Sequence, residues 1–134
     1  MSKVLVVEDI TDSANLARKI LLANGYDVLI AATGEEALHY ASQGGLNMII
    51  MDLGLPDVDG QTLLGILRRD YQLDSIPIIV CTAWPEESAK KMTEAYGFDD
   101  YISKPYRVLE FMSVVNRSLH PKDDLNDSPK PLSR

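Results

Sequence analysis

The chain has 134 residues, 46% of them hydrophobic, with one cysteine and two histidines. That suits one domain with a real core, and it excludes internal disulfides and a metal site built on histidine or cysteine pairs. Thirteen Lys and Arg against twenty Asp and Glu leave a formal charge of −7, so the surface field repels polyanions and direct nucleic-acid binding is not expected. No apolar stretch approaches the roughly 20 residues of a spanning helix, and Met1-Ser2-Lys3 runs straight into a strand-like segment; a soluble, cytoplasmic chain with no membrane role is expected.

In chain order, the apolar run Lys3–Val7 predicts a first buried strand, ending at Glu8 and Asp9. Thr11 is placed to cap a first helix that buries Ala14, Ala17, Ile20 and Leu21 and stops at Asn24-Gly25. Asp27–Ala31 predicts a second strand, which ends without chemistry, and Thr33 or Gly34 opens a second helix carrying Ala37, Leu38 and Ala41. Met48–Met51 predicts the third strand, running into Asp52, and a third helix over about 61–70 buries Leu63, Leu64 and Leu67. The fourth strand, 76–81, contains Cys81 as a buried structural thiol and runs into Thr82. The fourth helix, Glu86–Tyr96, offers only Ala89, Met92, Ala95 and Tyr96, the thinnest apolar face of the five, which makes it the helix best able to shift. Residues 101–103 predict the fifth strand, leading into Lys104-Pro105, and the last helix, from Tyr106, buries Val108, Phe111, Met112, Val115 and Leu119. The domain is therefore expected to span 1–119, with 120–134 a polar tail containing three prolines and expected to be disordered.

Strict alternation of strand and helix implies an α/β fold: a doubly wound, flavodoxin-like (βα)5 unit with a five-stranded parallel sheet in the order 2-1-3-4-5. The topological switch then lies between the first and third strands, and sites in such sheets form at the carboxyl ends of strands. Glu8, Asp9, Asp52, Thr82 and Lys104 all stand at those ends and are expected to meet in one crevice. Converging carboxylates repel one another, and a hard divalent cation with oxygen ligands, Mg²⁺, is the expected relief. Asp52 is then the candidate nucleophile, ionised at neutral pH without a dedicated base, with the Lys104 ammonium and the Thr82 hydroxyl cancelling charge on a transferred phosphoryl group.

The acidic pair Glu8-Asp9, Asp52 within Met51-Asp-Leu-Gly-Leu-Pro-Asp-Val-Asp-Gly60, Thr82-Ala83 and Tyr101-Ile-Ser-Lys-Pro105, in this order, resemble the receiver domain of two-component response regulators over about residues 3 to 119. The spacings from Asp52 to Thr82 and Lys104, 30 and 52 residues, resemble the family's as well. The resemblance implies a single-domain signalling switch rather than an enzyme acting on an external substrate. A histidine kinase or histidine phosphotransfer protein would donate a phosphoryl group to Asp52, with Mg²⁺ held by Asp9, Asp52 and the Gly54 carbonyl and by Glu8 through water. Thr82 would move onto the phosphoryl oxygens and Tyr101 would turn inward, remodelling the face of the fourth helix, fifth strand and fifth helix for a downstream protein target. It further implies a cis Lys104-Pro105 bond and a monomer or weak dimer. Gly54 and Trp84 occupy the two positions that border the water path to the phosphoryl group.

Three other functions compete. A turnover phosphatase wants a second Asp two residues past the nucleophile, where Gly54 stands. Flavin or dinucleotide binding wants a loop of backbone donors after the first strand, where Glu8-Asp9 would repel phosphate. The serious alternative is an interaction module that works without phosphorylation, or a receiver cut from a larger regulator or hybrid kinase.

Overall fold

A computed structural model describes residues 2–120. Five strands, β1 (Lys3–Val7), β2 (Asp27–Ala31), β3 (Met48–Met51), β4 (Ile78–Thr82) and β5 (Asp100–Ser103), alternate with five helices, α1 (Thr11–Ala23), α2 (Gly34–Gln43), α3 (Gly60–Arg69), α4 (Glu86–Tyr96) and α5 (Val108–Leu119). All pairings are parallel and the sheet order is β2-β1-β3-β4-β5, the flavodoxin-like order expected from the alternation. The three central strands are buried on both sides, which is why they read as unbroken apolar runs.

Successive strand residues feed opposite cores. Leu5, Val7, Ile49, Met51, Ile78 and Val80 pack with Leu63, Leu64 and Leu67 of α3 and Met92 of α4, while Val4, Val6, Ile50, Ile79, Cys81 and Ile102 pack with Ile20 and Leu21 of α1 and Phe111 of α5. So α2, α3 and α4 cover one face and α1 and α5 the other. The buried stripe of α1, Ala14, Ala17, Ile20 and Leu21, is the one its sequence spacing predicts.

Four local expectations are corrected. Thr11 is the first helical residue rather than the cap of α1; Ile10 holds the capping position, because the Glu8 carboxylate takes the Ile10 amide. β4 starts at Ile78 and not at 76: the Ile76 carbonyl is taken by Arg68, and Pro77 has no N–H to add to a ladder. Val108 is exposed because α5 begins there, after a bend at Lys104-Pro105, and the Tyr106 ring that follows the bend packs on Phe111 at 4.9 Å. Ala95 and Tyr96 also face solvent, and the buried face of α4 is completed instead by Thr93, whose hydroxyl donates to the Ala89 carbonyl at 2.7 Å. The expected tail lies, except for His120, outside the described residues. No helix among the described residues is long and apolar enough to cross a membrane.

Candidate functional site

The carboxyl ends of β1, β3, β4 and β5 lie side by side at one rim of the sheet. Register brings Val7 level with Met51 and Thr82 level with Ser103, so the residues that follow those strands converge. Backbone bonds fix the rim: the Asp52 amide donates to the Val7 carbonyl at 3.0 Å and the Lys104 amide to the Thr82 carbonyl at 2.8 Å.

Carboxylate oxygens of Glu8, Asp9 and Asp52 all lie within 4.8 Å of one another, and they form the one such cluster of potential metal ligands among the described residues. Asp9 is exposed, Asp52 half-buried and Glu8 only 5% exposed. An all-oxygen donor set with one open side and three negative charges suits a hard divalent ion that keeps water in its shell, and it does not suit a soft metal. The residues present therefore fit Mg²⁺.

Lys104 enters from β5. Its Nζ donates to Glu8 Oε1 at 2.5 Å and lies 3.4 Å from Asp52 Oδ2. Burial pushes the Glu8 carboxyl up; the hydrogen bonds from Lys104 and the Ile10 amide pull the other way, and the Asp52 charge adds to the rise. For Lys104, burial alone would lower the ammonium's pKa, but the Glu8 hydrogen bond and the Asp52 charge outweigh it and the net shift is upward. The lysine thus stays charged where it faces Asp52. Asp52 Oδ1 accepts the Leu53 amide at 2.7 Å, which leaves Oδ2 toward Lys104. The Lys104-Pro105 bond is cis, as the resemblance implies.

Thr82, 2% exposed, closes β4, and its Oγ1 accepts the Trp84 amide at 3.2 Å. Beyond Asp52 the turn folds back in an antiparallel bridge from Gly54 to Asp59, with the Gly60 amide donating to the Leu53 carbonyl at 2.9 Å. Gly60 suits this close approach: a Cβ there would crowd the Asp52 carbonyl and Leu53 at 3.0 Å. A Cβ at Gly54 would meet nothing within 4 Å.

Along the outer edge of the sheet, beside this rim, an open groove of about 290 Å³ is lined by Glu86 of α4, Tyr101 and Ser103 of β5, and Tyr106, Glu110 and Arg117. Tyr101 packs partly on the core under α4, and Arg117 pairs with Asp100 at 2.7 Å. Burial pushes the Tyr106 phenol up to about 12.

Three residues that sequence reasoning missed shape the site. Asp57 accepts the amides of Gly34 and Glu35 at 2.8 and 3.0 Å, and so caps α2 from the loop that follows Asp52. Asp59 caps α3 through the Thr62 amide at 2.7 Å; the Asp-Gly pair before an apolar helix carried that signal. Ser103 carries a buried hydroxyl with no partner.

A family model described as the response regulator receiver domain matches residues 4–116. The transcriptional regulatory protein KdpE of Mycobacterium tuberculosis is 37% identical over 119 residues, 89% of this chain and 51% of KdpE; the chain thus spans about half the length of that relative. The polar-differentiation response regulator DivK of Brucella ovis is 33% identical over 116 residues, 87% of this chain and 94% of DivK. Among solved structures, the receiver domain of a Francisella response regulator is 31% identical with a TM-score of 0.81, covering 91% of this chain and 99% of that one. The receiver domain of a Pseudomonas aeruginosa sensor histidine kinase, solved with a magnesium ion coordinated in its active site cleft, is 27% identical with a TM-score of 0.77, covering 88% and 97%.

Proposed function

Because this chain belongs to the response regulator receiver family, we propose that it is a phosphorylation-controlled switch whose acceptor is Asp52. The observation that carries the reading is the meeting of Glu8, Asp9 and Asp52 at one rim with Lys104 Nζ 3.4 Å from Asp52 Oδ2. Asp52 Oδ2 attacks the phosphorus of a phosphohistidine on a histidine kinase or phosphotransfer protein. The P–N bond breaks, its electron pair leaves with the imidazole, and an acyl phosphate remains on Asp52. Asp9, Asp52 and the Gly54 carbonyl would hold Mg²⁺, with Glu8 reaching it through water, and the ion would supply neutralisation of the phosphoryl oxygens. Lys104 meets the remaining negative charge, held on Asp52's side of the crevice by its bond to Glu8, and Glu8 in turn keeps the ammonium out of bulk water, where it would be worth less.

Thr82 then donates its hydroxyl hydrogen to a phosphoryl oxygen, and Tyr101 follows inward. The edge groove between α4, β5 and α5 changes shape, and a downstream protein reads the change. A receiver that acts alone, as a chain of DivK's length would, and a receiver that forms one part of a longer regulator, as in KdpE, share this chemistry. A cytoplasmic site of action and a monomer or weak dimer complete the proposal.

The test is intact mass after incubation with Mg²⁺ and acetyl phosphate, beside Asp52→Asn and a metal-free control. Gain of one phosphoryl group by the native chain alone is expected. If neither acetyl phosphate nor a phosphorylated histidine donor modifies it, and Mg²⁺ leaves Trp84 fluorescence unchanged, the phosphorylation-independent module replaces this reading.

A further inference from the structure

Among the described residues, Ser103 Oγ is the one buried side-chain nitrogen or oxygen without a hydrogen-bond partner. Its position makes that informative. Ser103 is the last residue of β5 and pairs in register with Thr82, the last residue of β4. Pairs along these two strands alternate between the two cores: Val80 and Tyr101 belong to the core on the α4 side, Cys81 and Ile102 to the opposite one. By that alternation Thr82 and Ser103 return to the α4 side, as neighbours on strands about 4.8 Å apart. Yet no bond joins the two hydroxyls, and the one bond recorded at Thr82 Oγ1 is that accepted from the Trp84 amide. Ser103 also lines the edge groove next to Tyr101.

A buried hydroxyl left unpaired raises the free energy of the arrangement that contains it. An arrangement that supplies a partner is favoured by the same amount, and the two groups expected to move on phosphorylation, the Thr82–Trp84 segment and Tyr101, are the ones that flank Ser103. We infer that Ser103 is a positioning residue of the switch: its hydroxyl is orphaned in this arrangement and gains a partner when Thr82 moves away toward Asp52 and Tyr101, two residues before Ser103 on β5, turns inward beside it, which biases the equilibrium toward the phosphorylated state. The inference rests on the reading of Asp52 as phosphoacceptor. Replacing the hydroxyl with hydrogen relieves the unswitched arrangement and leaves the switched one without its added bond, so the variant is harder to switch and no less stable.

The experiment is titration of the full chain, in saturating Mg²⁺, with beryllium fluoride, a phosphoryl mimic, followed by Trp84 fluorescence, for wild type, Ser103→Ala and Ser103→Thr. A parallel titration uses Mg²⁺ alone, and thermal melts are recorded without metal. Ser103→Ala is expected to bind the mimic about tenfold more weakly, with Mg²⁺ affinity within twofold and a melting temperature equal to or above wild type; Ser103→Thr, which keeps the hydroxyl, recovers most of the loss. Equal affinity of wild type and Ser103→Ala for the mimic overturns the inference, as does a loss of mimic and Mg²⁺ affinity together with a lower melting temperature, the mark of a merely structural role. If wild type binds neither the mimic nor a phosphoryl group, the proposed function fails, and this inference with it.

Discussion

Lys104 Nζ donates to Glu8 Oε1 at 2.5 Å, a bond between the residues that follow β5 and β1, on opposite sides of the crevice. The pair spans 96 residues of sequence, and through it a buried carboxylate holds a charged ammonium beside Asp52. Lys104→Ala is expected to lower the rate of phosphorylation by acetyl phosphate about 10²-fold, the loss typical of removing one charge-stabilising donor. Lys104→Arg is expected to recover little, because a planar fork does not replace a point charge in a crevice of this size. Initial rates by intact mass, with circular dichroism to verify folding, decide it; an unimpaired Lys104→Ala would remove the lysine from the chemistry.

The glycines after Asp52 are expected to differ sharply. Gly60→Ala forces a Cβ to within 3.0 Å of the Asp52 carbonyl and Leu53, and should cost about 1–3 kcal/mol as overpacking. Gly54→Ala meets open space and should stay within about 0.5 kcal/mol. Urea denaturation with a common slope measures both.

Acid stability should depend on the caps. The Gly34 amide holds the Asp57 carboxyl below its ordinary 3.8, and the Thr62 amide does the same for Asp59. A carboxyl whose folded pKa is depressed binds fewer protons folded than unfolded, so its contribution is present above pH 3.8 and is lost as pH falls through the folded value. Melting temperatures recorded across that acid range should fall less steeply for Asp57→Asn than for wild type. Parallel curves would show that the cap adds no pH dependence.

Cys81 lies within β4, and burial pushes its thiol up to about 12. At neutral pH it has almost no thiolate, and it is only 7% exposed. The folded chain is expected to resist an aromatic disulfide reagent over a period in which the urea-unfolded chain releases one equivalent. Rapid stoichiometric reaction of the folded chain would contradict the packing described.

What the sequence by itself determined was the set of elements and the rim on which the chemistry gathers. Apolar runs of strand length mark β1, β2 and β3 with the bounds observed; β1 and β3 read as unbroken because a strand buried on both faces tolerates few polar residues, while the edge strand β2 is only half-buried. The glutamate and aspartates could be assigned to one crevice because parallel strands joined by helices all end at the same rim. Local signals failed where a distant group intervened. Thr11 lost its cap position when Glu8 took the Ile10 amide, and 76–77 left β4 when Arg68 took the Ile76 carbonyl. Only the tertiary structure decided that Lys104 binds Glu8 more closely than Asp52, that Asp57 caps α2, and that Ser103 stands unpartnered beside Thr82. Those facts depend on ångström-scale positions of side chains far apart in the chain, whereas periodicity records only which face of an element is dry.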